Sequence, residues 1–346
     1  MKTNLVYFEQ WMNPIGPEVL NATNDFDLTK LSFKDDPEIN WKAFESAHGY
    51  QALPSTETEE LFYPGLEMIK RSPNLLAVSV SGAGYDMIDV DACTQAGILV
   101  VNQTGSNSES VAQHAMGLML NLSKQINQSH NAIRRPERNW SRWDYIGDEL
   151  TGRTLGVIGL GQIGRRIAEI SKVFSMNVIA YDPYISDADF AERGALSVTL
   201  EELLSKSDFV SIHCPLTDET EGMIGAPEFS AMKSNAIFIS TARGGIHDEV
   251  ALEKAIESKQ IAGAGVDVFI VEPPLHDHPL LRFDNVITSP HNAGVTSDCL
   301  FNMAKYAADQ WIDIFNGKRP PRLKNPDAWG KYSERFKAIM GRPVIT

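Results

Sequence analysis

The chain has 346 residues, 43% of them hydrophobic, and a formal net charge of -14 at pH 7. The length exceeds one typical domain, so two are expected, and the composition is enough to bury a large core. The acidic balance argues against a nucleic-acid partner and against an anionic membrane surface, both of which want Lys and Arg in excess. It leaves room for a small anionic substrate held by one or two local Arg residues.

In chain order, the first strand pattern is Leu5–Phe8. The stretch Lys34–Glu60 reads as a long insert mixing apolar and charged residues, a candidate docking surface. Strand patterns follow at Leu75–Val80 and Ile98–Val101. Ser106-Asn107-Ser108-Glu109 has the form of a capping box, and Val111, Ala115, Leu118, Met119 and Leu122 then make one apolar helical face. Six more strands are read at Thr154–Ile158, Val178–Tyr181, Phe209–His213, Ala236–Ser240, Gly263–Val268 and Val286–Thr288, enough for a complete doubly wound domain. Leu300, Met303, Ala304, Ala307, Trp311, Ile314 and Phe315 form a second long helix, stopped by Asn316-Gly317. Beyond it the chain is Pro-rich and basic and reads as a solvated arm or a strap across a neighbour.

Strands alternating with helices specify an α/β fold with parallel sheets. The two long helices are read as crossings between domains. The expected architecture is therefore two Rossmann-like doubly wound domains. One of them, 106–295, is inserted in a discontinuous domain made of 1–105 and 296–346. The apolar part of the N-terminus is too short for a secretory signal, and no apolar run is long enough to span a bilayer. Cys93, Cys214 and Cys299 lack metal spacing and read as free thiols in a reducing cytosol, so the expected location is cytoplasmic, with no membrane partner and no metal.

The most informative stretch is Gly159-x-Gly161-x-x-Gly164. It follows a strand pattern, opens a helical one, and is followed by a second strand that ends at Asp182, roughly 20 residues on, the spacing of a dinucleotide site. Gly159 permits the tight turn, Gly161 lets backbone approach a pyrophosphate, and Gly164 lets helix and strand pack closely. The helix N-terminus offers free N–H groups to phosphate. Asp182 suits a ribose 2′-hydroxyl and repels a 2′-phosphate, and Pro183-Tyr184 behind it supplies no phosphate-gripping Arg, so NAD is expected over NADP.

Three residues lie just after late strands, where open α/β sheets bind ligands. Arg243 precedes Gly244-Gly245 and can grip a carboxylate or ketone oxygen in fork geometry. Glu272 and His291 follow the next two strands. A histidine beside a carboxylate is held in one tautomer and has its pKa raised, which suits a proton donor to a ketone oxygen being reduced. His213, at a strand end before Cys214-Pro215, is either a satisfied buried histidine or a cofactor contact. His276-Asp277-His278 has the look of a metal fragment but no third ligand, and reads as ordinary surface.

Together these segments resemble the D-isomer-specific 2-hydroxyacid dehydrogenases, a family that includes glyoxylate/hydroxypyruvate reductases and phosphoglycerate dehydrogenases. The resemblance runs from about Leu75 to about Gly317. It is carried by Ser81-Gly82-Ala83-Gly84-Tyr85-Asp86, Asn107–Ala112, Gly159–Gly164, Cys214–Thr217, Thr241–Gly245, Gly265–Phe269 and Ser289-Pro290-His291. It implies a catalytic set of Arg243, Glu272 and His291, a carboxylate-binding backbone loop at Ser81, Gly82, Ala83 and Gly84, and a discontinuous substrate domain. It further implies a cofactor surface of Gly159, Gly161, Gln162, Ile163, Gly164, Asp182, His213, Pro215, Thr220, Thr241, Ala242, Asp267 and Gly294. The implied reaction is hydride transfer from a nicotinamide to C2 of a 2-oxo acid. Arg243 polarises the carbonyl and His291, oriented by Glu272, protonates the forming alkoxide. Gln113 stands where relatives usually have Glu, Ser240 replaces a frequent Asn, His247 a frequent Val, and Asn292 a frequent Ile.

A homodimer is also implied, and in related reductases a tryptophan near Trp140 and Trp143 reaches into the partner's active site. Glyoxylate or hydroxypyruvate is the first substrate choice, because the carboxylate loop is small and no extra basic cluster is visible for a phosphate. Two alternatives stay open. One is a cofactor-sensing co-repressor of the same family that keeps the catalytic residues. The other is a dehydrogenase for an unusual catabolic acid.

Overall fold

The computed structural model describes residues 2–137 and 139–345. The chain folds into two compact units, Met1–Asn107 with Thr296–Thr346, and Ser108–Val295.

The first unit holds a five-stranded sheet of β1 (Thr3–Phe8), β2 (Phe26–Leu31), β3 (Gly49–Ala52), β4 (Ala77–Val80) and β5 (Leu99–Val101), in the order β2-β1-β3-β4-β5. All pairs are parallel, with Leu5 opposite Gly49 and Tyr50 opposite Val78. Side chains alternate faces along a strand. Val6 and Phe8 therefore enter one core with Trp41, Phe44, Tyr50 and Phe62, while Leu5 enters the other with Trp311, Tyr332 and Phe336.

Two readings of this region are corrected. Lys34–Glu60 is no insert: it contains the capped helix Pro37–Phe44, begun by Asp36, and the central strand β3. Four-residue β3 hides from pattern reading because Gly49 and Gln51 break its apolar run. A Cβ at Gly49 would lie 2.7 Å from the Trp311 ring, so helix and strand approach closely only over glycine. Nor does the segment beyond Gly317 float. Leu323 bridges Val101, Asn325 holds Val100 N–H and the Ile98 carbonyl, and helix Trp329–Met340 buries Tyr332 and Phe336 completely. Both segments thus pack into the cores of the first unit.

The second unit holds a seven-stranded sheet of β6 (Thr154–Ile158), β7 (Asn177–Tyr181), β8 (Leu196–Ser197), β9 (Phe209–Ile212), β10 (Ile237–Ser240), β11 (Gly263–Val266) and β12 (Val286–Thr288). The order is β12-β11-β10-β9-β6-β7-β8, again parallel. Six strands match the sequence pattern, while β8 is a two-residue exposed edge without apolar signal. Helix Ser108–Lys124 lays Leu118, Met119 and Leu122 against Leu155, Val157 and Ile239 on one face, and Ile158, Ile212, Phe238 and Val266 fill the core of the other. Strand order reverses between β6 and β9. This is the switch point at which a doubly wound sheet opens a crevice beyond its strand ends.

Candidate active site

The glycine loop leaves β6 at that switch point. Gly159 has φ +87°, and a Cβ there would lie 2.7 Å from Cys214 N, so the turn after β6 packs directly on the segment after β9. At Gly164 a Cβ would come within 2.1 Å of the Gly159 carbonyl oxygen. Gly161, by contrast, has nothing within 4 Å of a built Cβ. Of the three glycines, Gly161 is the one whose missing side chain leaves open space, at the N-terminus of helix Gln162–Val173. Gln162 and Ile163 occupy its first turn, and Gln162 accepts a hydrogen bond from Arg165. Asp182 accepts Leu160 N–H at 2.9 Å and Tyr184 N–H at 3.1 Å, so the acid that follows β7 also braces the glycine loop.

At the ends of β9 and β10 lie three buried polar atoms with no hydrogen-bond partner, His213 Nδ1, Ser240 Oγ and Thr241 Oγ1. His213 Nε2 pairs with Ser211 Oγ at 2.8 Å, and burial pushes the imidazole down to about 3, so the ring is neutral. The histidine is therefore only half satisfied. Burial also raises the Cys214 thiol to about 11, which leaves it unreactive at neutral pH. A glycine cradle, open helix N–H groups, an acid past β7 and orphaned polar atoms at adjacent strand ends are the features a dinucleotide would satisfy. Thr220 differs: its hydroxyl accepts from Thr217 N–H at 2.8 Å and donates to the Pro215 carbonyl at 2.7 Å, closing the turn.

Arg243 follows β10, and its Nη1 donates to the Ala242 carbonyl at 2.7 Å. A Cβ at Gly244 would lie 2.0 Å from the Phe269 carbonyl oxygen, so the arginine's segment and the loop after β11 share backbone contact. That loop carries Glu272. Its Oε1 accepts Phe269 N–H at 3.0 Å, and its Oε2 lies 2.7 Å from His291 Nδ1. Burial pushes the Glu272 carboxyl up. The bonds from His291 and Phe269, with the His291 and Arg243 charges, outweigh burial and hold it below its usual value. An ionised carboxylate only accepts, so Nδ1 carries the shared proton and Nε2 is left for other work.

His291 sits at φ +51°, a strained setting for a residue with a side chain. Asp267 pins it there. The Asp267 carbonyl accepts His291 N–H at 2.8 Å. The carboxylate, 1% exposed, takes the Ser289 hydroxyl and the N–H groups of Asn292 and Ala293. His114 reaches Ser289 Oγ at 3.0 Å from helix Ser108–Lys124. Asp267 thus shapes the His291–Gly294 turn. His114 was not singled out by sequence; no spacing rule links positions 114 and 289. Gln113 lies on the exposed side of its helix, bonded to Glu109, which pairs with Arg166.

In the first unit, Ser81 is turned inward: its N–H and its hydroxyl both donate to the Ala52 carbonyl. The Gly82 and Ala83 carbonyls accept from Gln103 N–H and Asn102 Nδ2. The N–H groups of Gly82, Ala83 and Gly84 meet no acceptor among the described residues. The loop thus presents three donors, and Ser81 supports it from below. Trp311 and Gln51 hold Ser81 from below, and beside them Gln310 and Gln103 hold Ser79 in a second buried chain of a polar network. Sequence reasoning missed this network, because amides scattered from 51 to 310 give no local signal.

Lys324 lies over the Tyr85 ring at 5.7 Å, and Arg322 Nε donates to the Thr104 carbonyl at 2.9 Å. The sequence shows this pair only as part of a basic arm, and its place beside the loop comes from the fold. His278 bonds Glu249, so the surface fragment has a structural tie. Among the described residues no group of three or more His, Cys, Asp or Glu is placed to hold a metal. No helix among them is long and apolar enough to cross a membrane. Trp143 is 66% exposed and stacked under Arg142.

Fold and switch-point site define a dinucleotide-binding α/β protein. Residues 116–293 match the family model described as D-isomer specific 2-hydroxyacid dehydrogenase, NAD binding domain. The chain is 41% identical over 251 residues to the D-3-phosphoglycerate dehydrogenase of Archaeoglobus fulgidus, covering 72% of this chain and 47% of that protein. It is 39% identical over 316 residues to the glyoxylate reductase of Aeropyrum pernix, covering 90% and 93%. It superposes on the D-lactate dehydrogenase of Aquifex aeolicus, solved with NAD and lactic acid, with a TM-score of 0.79 at 27% identity, over 93% and 99% of the two chains. The chain spans about half the length of the phosphoglycerate dehydrogenases it matches. It belongs to the D-isomer-specific 2-hydroxyacid dehydrogenase family.

Proposed function

We propose that this chain is an NAD-dependent D-2-hydroxyacid dehydrogenase acting on a small 2-oxo acid of the glyoxylate or hydroxypyruvate kind. The first unit would bind substrate and the second would hold NAD. The observation that carries the proposal is the His291–Glu272 pair at 2.7 Å, in the unit that also bears the glycine cradle.

The bound nicotinamide supplies hydride to C2 of the oxo acid, or takes it back. The rest falls to the chain's own residues. The N–H groups of Gly82, Ala83 and Gly84 bind the carboxylate. Arg243 shares that charge and polarises the carbonyl. His291, protonated and held through Nδ1 by Glu272, gives its Nε2 proton to the forming alkoxide; in the reverse direction Nε2 is the base. Glu272 stays ionised throughout and stabilises the imidazolium. Gly161, Gln162 and Ile163 take the pyrophosphate, with Gly159 making the turn and Gly164 packing helix on strand. Asp182 takes the adenine ribose and disfavours a 2′-phosphate. His213, Pro215, Thr241, Ala242 and Gly294 line the remainder, with Thr220 and Asp267 shaping it from behind.

The working form in this proposal is a cytoplasmic homodimer. Ile126, Ile133, Trp140, Trp143 and Ile146, all exposed within one stretch, support a self-association surface, with Trp143 completing the partner's substrate pocket. One observation favours a second substrate. Neither Arg322 nor Lys324 has a carboxylate partner among the described residues, and burial, then the Arg322 charge, pull the Lys324 ammonium below its usual value. A 2-oxo acid with a second negative group, such as a phosphorylated one, would relieve both.

The test is NADH oxidation by purified protein against glyoxylate, hydroxypyruvate, pyruvate, phenylpyruvate and a phosphorylated 2-oxo acid, with NADPH alongside. Turnover of one or two small acids supports the first choice, and selective turnover of the phosphorylated acid supports the second. Tight NADH binding with silence across the panel would point to the sensing protein or an unusual acid.

A further inference from the structure

The Glu272 loop runs from the end of β11 to the turn Pro279–Arg282; Val268 and Phe269 anchor its start in the core, and the apolar side chains that follow are exposed. Ile270, Val271 and Leu275 are 61%, 64% and 68% exposed. Beyond Phe269, therefore, apolar burial does not fix its shape. One side chain grips it at both ends. Glu249 Oε1 accepts Ile270 N–H at 2.8 Å, and Glu249 Oε2 lies 3.2 Å from His278 Nε2. His278 Nδ1 accepts Leu280 N–H, so Nδ1 is bare and Nε2 must carry the hydrogen that Glu249 receives. The Phe269 ring stands edge-on to His278 at 5.1 Å. Both members of the Glu249–His278 pair are only 16% exposed.

Glu249 opens helix Glu249–Glu257, whose N-cap is Asp248, five residues after Arg243. It thus joins the arginine's segment to the glutamate's loop. The grip on Ile270 N–H is one residue from Phe269 N–H, which itself holds Glu272 Oε1.

We propose that Glu249 and His278 form a latch that positions Glu272 on His291, making both positioning residues for the proton-transfer step. This rests on the dehydrogenase reading above. An oriented carboxylate keeps the imidazole aimed; a loop slipped by about 1 Å lowers catalysis about 100-fold without touching the reacting atoms.

The experiment compares H278A, E249A and H278Q in the native and the E272Q backgrounds, with the best oxo acid from the panel. Gln at 278 keeps an N–H donor near the place of Nε2. H278A and E249A are expected to lower kcat about 10- to 100-fold, with NADH affinity unchanged and KM moved less than about 3-fold. H278Q recovers most of the loss. In the E272Q background H278A costs less than about 2-fold more, because the latch acts through the missing carboxylate. Equal losses in both backgrounds, or unchanged kcat in both single variants, would overturn the latch.

Amide hydrogen exchange reads the latch without turnover. Phe269 and Ile270 are expected to exchange faster in H278A, and unchanged exchange there overturns the proposal whether or not any acid is reduced. Failure of the native chain on every acid would count against the dehydrogenase reading alone.

Discussion

His247 stands fully buried behind the Arg243 segment, with neither ring nitrogen hydrogen-bonded and its edge against Phe238 at 5.4 Å. Replacing it with valine tests what an unsatisfied buried ring costs. At neutral pH the ring is uncharged, and each orphaned polar atom is worth about 1–3 kcal/mol of desolvation, part of it offset by contacts that the smaller side chain gives up. H247V should therefore be more stable than the native chain at pH 7.

The pH dependence is sharper. Burial, against weaker opposing pulls from Glu249 and Asp248, lowers the imidazole from 6.5 to about 4. A base whose folded pKa is depressed takes up its proton on unfolding, so its stabilising term is whole above 6.5 and is lost as pH falls toward 4. At about 1.4 kcal/mol per unit, the native chain loses about 2 kcal/mol by pH 5 that the valine variant keeps. The assay is urea unfolding of both proteins at pH 7 and pH 5, followed by circular dichroism. A variant advantage that grows by about 2 kcal/mol on acidification is expected. A gap of the same size at both pH values, or a less stable variant at pH 7, would refute the reasoning.

H291A should lower turnover at least about 100-fold while NADH still binds, checked by steady-state kinetics and fluorescence titration. G161A should melt like the native chain yet bind NADH at least about 10-fold more weakly, since open space there is meant for a phosphate. G164A should instead lose at least about 1–3 kcal/mol of stability, because its methyl meets the Gly159 carbonyl; calorimetry separates the pair. Native protein should prefer NADH to NADPH in kcat/KM, and D182A should erode that preference. W143A should change stability by less than about 0.5 kcal/mol but alter the substrate profile, and an unchanged profile would remove Trp143 from the partner's pocket.

The second unit was largely legible because its signals are local. The glycine spacing, the apolar strands and the acid at Asp182 all lie within one βαβ stretch, and six of its strands are apolar runs. The first unit was less so. Asp27 and Lys30 break the apolar pattern of edge strand β2, and β3 owes its central place to Trp311, more than 250 residues away, where no periodicity looks. The same distance hid the polar network beneath Ser81. Charge runs misled as well: Lys324 and Arg335 read as solvated, yet burial lowers both below their usual values, because Lys324 follows the bridge of Leu323 to the sheet edge and Arg335 turns inward from a helix to the Leu75 carbonyl. Roles that depend on pairing, such as Asp267 with the His291 turn or Glu249 with His278, became visible only once strand ends were neighbours in space.

The hydrogen bond from Trp311 Nε1 to Gln51 Oε1, 2.8 Å long across 260 positions, has a consequence for the order of events on the ribosome. Residues 2–107 emerge first but lack the helix that covers one face of their sheet. Residues 108–295 emerge next with everything their own sheet needs. The later-made unit can therefore finish first, while the earlier one waits with Leu5, Leu76 and Leu99 uncovered until Ser297–Phe315 and Trp329–Met340 arrive. Nascent chains stalled before residue 296 should carry one protease-resistant unit, and chaperone dependence should be concentrated in the N-terminal third.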